Sequence, residues 1–160
     1  MVNRERPHIL VLPEDGANRE LANGFWLGID PLKQRQMQVL PVAGGWSKTL
    51  DLFRSDHVFE MDRCPNRFLV LLIDLDGRID RLDAAKTDIP ARLAERVFIL
   101  CTLTKPEELR ADLGALEQIG EAMAEDCRQG SDETWRHRLL QHNAIEIARL
   151  RERVLPILFA

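Results

Sequence analysis

Arg67-Phe-Leu-Val-Leu-Leu-Ile-Asp74-Leu-Asp76-Gly77 is the stretch whose reading decides the fold. The apolar run from Phe68 to Ile73 is unbroken and too short for a helix of ordinary length. A run of this kind suits a strand buried on both faces, as in parallel sheets covered by helices. Working outward, His8-Ile-Leu-Val-Leu12 and Arg96-Val-Phe-Ile-Leu-Cys-Thr102 have the same character, and Gln36-Met-Gln-Val-Leu-Pro-Val42 supplies a fourth strand. Asn18 to Trp26 and Trp46 to Phe59 carry apolar residues at helical spacing (Leu21 and Phe25; Trp46, Leu50 and Phe53). Strand and helix therefore alternate, which predicts an α/β fold with a mostly parallel central sheet of about four strands and flanking helices.

Beyond Lys105 the pattern changes. Pro106-Glu-Glu-Leu is expected to open a helix. Leu116 to Cys127 and Glu133 to Val154 read as two more, divided by Arg128-Gln-Gly-Ser-Asp132, with Ser131 or Asp132 as cap of the last. No repeat, low-complexity tract or linker divides the chain, so residues 1–160 are expected to form a single domain. The apolar tail Ile157-Leu-Phe-Ala160 should pack onto the protein's own core or dock on a partner.

Of the 160 residues 45% are hydrophobic and 30% charged, the balance of a globular protein. Cys64, Cys101 and Cys127 form no CxxC or Cys/His ligand pattern, so neither a disulfide framework nor a zinc site is expected. The apolar run Ile9 to Leu12 is too short for a signal or a membrane span, and a cytoplasmic protein without a membrane partner is expected. A net charge of −4 disfavours a chain that coats nucleic acid through its global field, leaving local arginine clusters such as Arg78 and Arg81 for any contact. His137 and His142 are five residues apart and do not share a helix face, and His8 and His57 lack an evident partner. The cysteines lack a sequence-visible base, so Cys–His catalysis is not expected.

The acids fall where the strands end. Glu14 lies two residues past the first strand, and Asp74-Leu-Asp76-Gly77 closes the third. Ligands of open α/β sheets bind at that carboxyl edge. Asp-x-Asp on an extended segment would aim both carboxylates the same way, and with Glu14 from a neighbouring strand would offer a hard cation several oxygens. Gly44-Gly45-Trp-Ser-Lys48 is not a nucleotide-binding P-loop, because Ser47 stands where that motif requires glycine. Gly44 and Gly45 could still present backbone N–H groups to a phosphate with Lys48 one turn inside, or form a plain tight turn. An EF-hand is excluded, since Gly77 is only fourth from Asp74. The haloacid-dehalogenase phosphatases place Thr or Ser soon after their Asp-x-Asp-Gly, where Arg78 stands here.

In order and strand context, Leu12-Pro-Glu14-Asp-Gly16-Ala-Asn18, Leu40-Pro-Val-Ala-Gly44-Gly45-Trp and Ile73-Asp74-Leu-Asp76-Gly77 resemble the signature of the TOPRIM domains of topoisomerases, bacterial primases and OLD-family nucleases. The resemblance covers residues 8–112 as an α/β core and leaves 113–160 as a C-terminal helical extension. It implies Mg²⁺ or Mn²⁺ on Glu14, Asp74 and Asp76, with Asn18 at the position after Glu14 where the family has an acid or amide, and Glu108 (or Glu107) as the further acid of OLD-type nucleases. Lys48 or Arg78 would contact phosphate. The implied activity is divalent-metal-dependent cleavage of phosphodiester bonds in DNA or RNA, with Glu14 as ligand or general base and Asp74 and Asp76 holding the cation. The chain has no tyrosine to serve a topoisomerase. The alternative is a non-catalytic TOPRIM-like binding subunit of a defence or toxin complex, partnered by an ATPase or another protein.

Overall fold

The computed structural model describes residues 2–159. Its frame is a four-stranded sheet of β1 (His8–Pro13), β2 (Met37–Val39), β3 (Arg67–Asp74) and β4 (Val97–Thr102), in the order β2-β1-β3-β4. Every pairing is parallel: Ile9 faces Met37, His8 to Pro13 face Arg67 to Leu72, and Leu69 to Asp74 face Val97 to Thr102. The expected α/β fold is what the chain adopts.

Both faces of the sheet are dry, which explains why the strand sequences show no polar alternation. Ile9, Val11, Val70 and Phe98 turn to one face, against α1 (Gly16–Gly28), α6 (Leu116–Gln129) and α7 (Ala144–Arg153). Leu10, Leu12, Leu69, Leu71, Ile73, Ile99 and Cys101 turn to the other. That second face packs on Leu50 of α2 (Trp46–Leu52), Phe53, Met61 of α3 (Val58–Arg63) and Ala85 of α4 (Asp80–Thr87). Each fully buried Leu, Ile or Phe contributes about 1.5–3 kcal/mol of transfer free energy. The expected helix from Trp46 to Phe59 runs to Arg63, with a π-helical turn at Phe53–His57 between α2 and α3.

α1 and α6 touch through glycines. A Cβ on Gly24 would lie 2.0 Å from the Glu117 carbonyl oxygen, and one on Gly120 would lie 2.1 Å from that of Leu21. The extension is thus part of the core: α6 lies against α1, and Phe159 meets Phe25 edge-on at 6.2 Å between ring centroids. Leu158 is buried, so the tail packs on its own core; Ala160 lies outside the described residues.

The segment beyond Gly130 departs from expectation. In place of one helix from Glu133 to Val154, turns run to Leu140, a 3-10 turn spans Gln141–Asn143, and α7 begins at Ala144. Neither Ser131 nor Asp132 caps it. Asn143 explains the break, because its side chain serves the outer edge of β4: Oδ1 accepts from Cys101 N at 3.0 Å and Nδ2 donates to Cys101 O at 2.8 Å. Glu146 accepts from Ile99 N at 2.9 Å, and Leu103 N donates to Leu139 O. Likewise Pro106–Leu109 is a 3-10 turn, followed by the four-residue α5 (Arg110–Leu113). At the opposite end of the sheet, buried His8 has a partner the sequence did not reveal: Arg67 Nε lies 3.1 Å from its Nε2, while its Nδ1 lies 2.8 Å from Arg6 O.

Candidate functional site at the carboxyl edge of the sheet

The chain leaves β1 for β2 on one side and returns to β3 on the other, so the strand order reverses between β1 and β3. Neighbouring connections that leave in opposite directions mark the place where open α/β sheets bind their ligands. Glu14 and Asp74 lie at the carboxyl ends of the two strands that flank it.

Glu14 follows the last residue of β1, and its backbone N–H continues the ladder to Leu72 O at 2.9 Å. Where the β1 backbone turns away, the Glu14 side chain takes over, and its Oε2 accepts from Asp74 N at 2.7 Å. Asp15 caps α1, accepting from Asn18 N at 3.0 Å. The cap turns Asn18 inward, where it is wholly buried. Asn18 Nδ2 then donates to Asp74 Oδ1 at 3.0 Å and to Asp15 Oδ1 at 3.2 Å. Thr102, at the end of β4, brings its hydroxyl to 3.4 Å from the same Asp74 oxygen. Asn18 Oδ1 has no hydrogen-bond partner.

Burial dominates the electrostatics. Desolvation pushes the Asp74 carboxyl up to about 8; the Asn18 hydrogen bond opposes this, and the charges of Asp15 and Glu14 add to it. Glu14 is also raised, first by burial, against the Asp74 N–H, with Asp15 and Asp76 adding repulsion. At neutral pH Asp74 therefore holds a proton unless another positive charge takes its place.

Asp76 does not join this pair. The expectation that Asp74 and Asp76 aim alike needs an extended backbone, but β3 ends at Asp74 and Asp76 has a left-handed φ of 51°. Its Oδ2 instead pairs with Arg81 Nη1 at 3.1 Å, and the Arg81 guanidinium lies 5.0 Å from the centre of the Trp46 ring. Accordingly, among the described residues no three His, Cys, Asp or Glu side chains are grouped to hold a metal ion.

The phosphate-binding expectation for Gly44 and Gly45 is also corrected. Their N–H groups donate to the Glu14 carbonyl at 2.9 and 3.1 Å, so they brace the site rather than stand free. Their φ values of 99° and 132° belong to the tight turn that makes this possible. Lys48 is exposed and lies against Gly44. Arg78 pairs with Asp80 at 2.9 Å. Glu108 is exposed and accepts from Thr104 Oγ1 at 2.7 Å, and Glu107 is exposed beside it.

The residues present fit a single hard cation in their chemistry. Asp74 and Glu14 offer carboxylate oxygens, and Asn18, whose Nδ2 faces Asp74, leaves its Oδ1 as a buried acceptor without a hydrogen-bond partner. They do not make the three-carboxylate site that was expected. Sequence reasoning missed Asp15, Thr102, Arg81 and Trp46 as parts of the site. Asp15 carried a readable signal, an Asp three residues before Asn18 at a helix start, and Thr102 another as the polar end of an apolar strand.

A Cys–His contact was also missed. Cys101 Sγ lies 3.1 Å from His142 Nε2, although 41 residues separate them. Burial raises the thiol to about 12 and lowers the imidazole, so the pair is a neutral thiol against a neutral ring and not an activated thiolate. No protein-family model, no curated protein and no solved structure matches this chain.

Proposed function

We propose that the chain is a TOPRIM-type phosphodiester hydrolase dependent on Mg²⁺ or Mn²⁺ and acting on DNA or RNA. The observation that carries this reading is the placement of Glu14 and Asp74, joined through Asp74 N–H at 2.7 Å, at the carboxyl ends of the two strands between which the strand order reverses. Asp74, Asn18 and Glu14 would hold the cation. When bound, a divalent cation there would neutralise phosphate charge and stabilise the leaving oxygen.

The chain's own residues supply the remainder. Glu14, fixed by the Asp74 N–H and made more basic by burial, suits the removal of a proton from an attacking water. Asn18 and Thr102 hold Asp74 in one orientation. Lys48 and Arg78, following the carboxyl ends of β2 and β3, would contact substrate phosphates. The second reading, a non-catalytic TOPRIM-like subunit of a defence or toxin complex with an ATPase or other partner, is favoured by one observation: Asp76 is engaged by Arg81 and so is not available as a third acid.

Plasmid nicking in Mn²⁺ by the parent, Glu14→Gln and Asp74→Asn proteins tests the hydrolase. Cleavage by the parent and its loss in both variants is expected, with Asp74→Asn also losing the stabilisation conferred by metal. Metal binding without cleavage would favour the subunit reading. A parent that neither binds a divalent ion nor cleaves would overturn the cation site.

A further inference from the structure

We propose that the protein binds a short, uncharged hydrocarbon or a similar compact apolar molecule in a cavity between its sheet and the helices that cover it. The cavity has a volume of about 80 Å³ and is walled by Leu72 and Leu100 of the sheet, Ala22 of α1, Met123 of α6, and Ile147 and Leu150 of α7. Neither Glu14 nor Asp74 lines it, so it stands apart from the site at the carboxyl edge. The strands themselves carry a second sign of the gap. Val70, Ile73, Phe98 and Cys101 are 6% exposed or less, yet Leu72 and Leu100, which stand among them on β3 and β4, are only half-buried. Protein interiors are packed to the density of organic crystals, with few voids larger than a water molecule. A void left empty weakens the fold in proportion to its volume, and an apolar occupant restores the missing contacts.

The polar groups of the lining set the class of ligand, because they are already engaged with one another. The Thr102 hydroxyl faces Asp74 at 3.4 Å, the Asn143 amide is bound to Cys101 and Leu140, and the Trp135 ring N–H donates to Met123 O at 3.4 Å. Cys101 Sγ lies 3.1 Å from His142 Nε2. The Cys127 thiol, which burial pushes up to about 12, stays neutral and is a weak donor at most. The lining therefore holds no charge and no strong side-chain donor or acceptor left free. A water there lacks the two to four polar partners, roughly, that a buried water needs. A carboxylate or ammonium group would lose its hydration with nothing in return. A short hydrocarbon leaves water at a gain and meets apolar atoms on every side.

The test follows isotope-labelled methionine methyl groups of the full chain by nuclear magnetic resonance, because Met37 and Met123 line the cavity whereas Met61 lies across the sheet. Xenon and cyclopropane should each shift the Met37 and Met123 resonances saturably, at about millimolar concentrations as suits a ligand of so few atoms, and leave Met61 in place. Acetate, of similar size but charged, should shift none of them. Ala22→Leu, which extends a side chain into the cavity from α1, should remove both responses, with circular dichroism verifying that the variant is folded. Leu100→Phe fills the cavity from the sheet side and takes its place if Ala22→Leu does not fold. A parent in which either gas fails to shift Met37 and Met123, an equal shift at Met61, or responses that persist in a folded, filled variant overturns the site. A response to acetate that matches the response to cyclopropane overturns its apolar character.

Discussion

At the scale of single residues, Asp74 couples the site to pH. Its carboxyl is raised to about 8 in the folded chain, against 3.8 unperturbed. Between those values the folded state holds a proton that the unfolded state has lost. The contribution is therefore fully present below about pH 4, falls as pH rises through 8, and is constant above. Urea denaturation should show the parent losing stability from pH 7 to pH 8.5, above the range in which His8, His57 and His142, lowered by burial, give the opposite slope, and Asp74→Asn should flatten most of that loss. At pH 8.5 the variant is expected to exceed the parent by on the order of a few kcal/mol. Glu14, shifted the same way, leaves a residual slope in the variant. Glu14 and Asp74 were legible in the sequence because an acid straight after an apolar strand stands out. Asp76 was misread because period-two reasoning holds only while the chain stays extended, and the left-handed turn at Asp76-Gly77 ends that condition.

At the scale of elements, the contact between α1 and α6 depends on two missing side chains. Gly24→Ala or Gly120→Ala would place a Cβ about 2 Å from a carbonyl oxygen and force the helices apart. Each should lower stability by about 3 kcal/mol or more in denaturant titrations. Gly16→Ala, in the first turn of α1 with nothing near its Cβ, should be neutral or raise stability by up to about 1 kcal/mol. β1, β3 and β4 were legible to within a residue because a strand covered on both faces leaves an unbroken apolar run. The segment from Glu133 to Leu140 was not. Its composition suits a helix, but Asn143 and Glu146 are bound to the β4 edge and Leu139 O to Leu103 N. No local pattern encodes those long-range bonds. Asn143→Ala removes the partners of Cys101 N and Cys101 O together and should cost about 2–4 kcal/mol, measured by urea denaturation against Gln141→Ala, an exposed neighbour.

At the scale of the whole molecule, the last third of the chain packs against its first. One face of the sheet is covered by α1 from near the start together with α6 and α7 from beyond residue 113. A fragment ending at residue 112 would expose Ile9, Val11, Val70 and Phe98, and is expected to aggregate or to lack the cooperative unfolding in circular dichroism that is expected of the full chain. The α/β core and the extension are therefore expected to fold together. The sealing of β4 also sets a timetable for synthesis. β4 is complete at Thr102, but the groups that occupy its outer edge are 42 and 47 residues further along the chain than the strand residues they serve. At about 5–20 residues per second, a ribosome leaves that edge open for several seconds in every newborn chain. During that interval a parallel strand with free N–H groups is exposed to whatever nascent segment or chaperone is near, and codons between Leu103 and Glu146 that slow translation should lower the yield of folded protein.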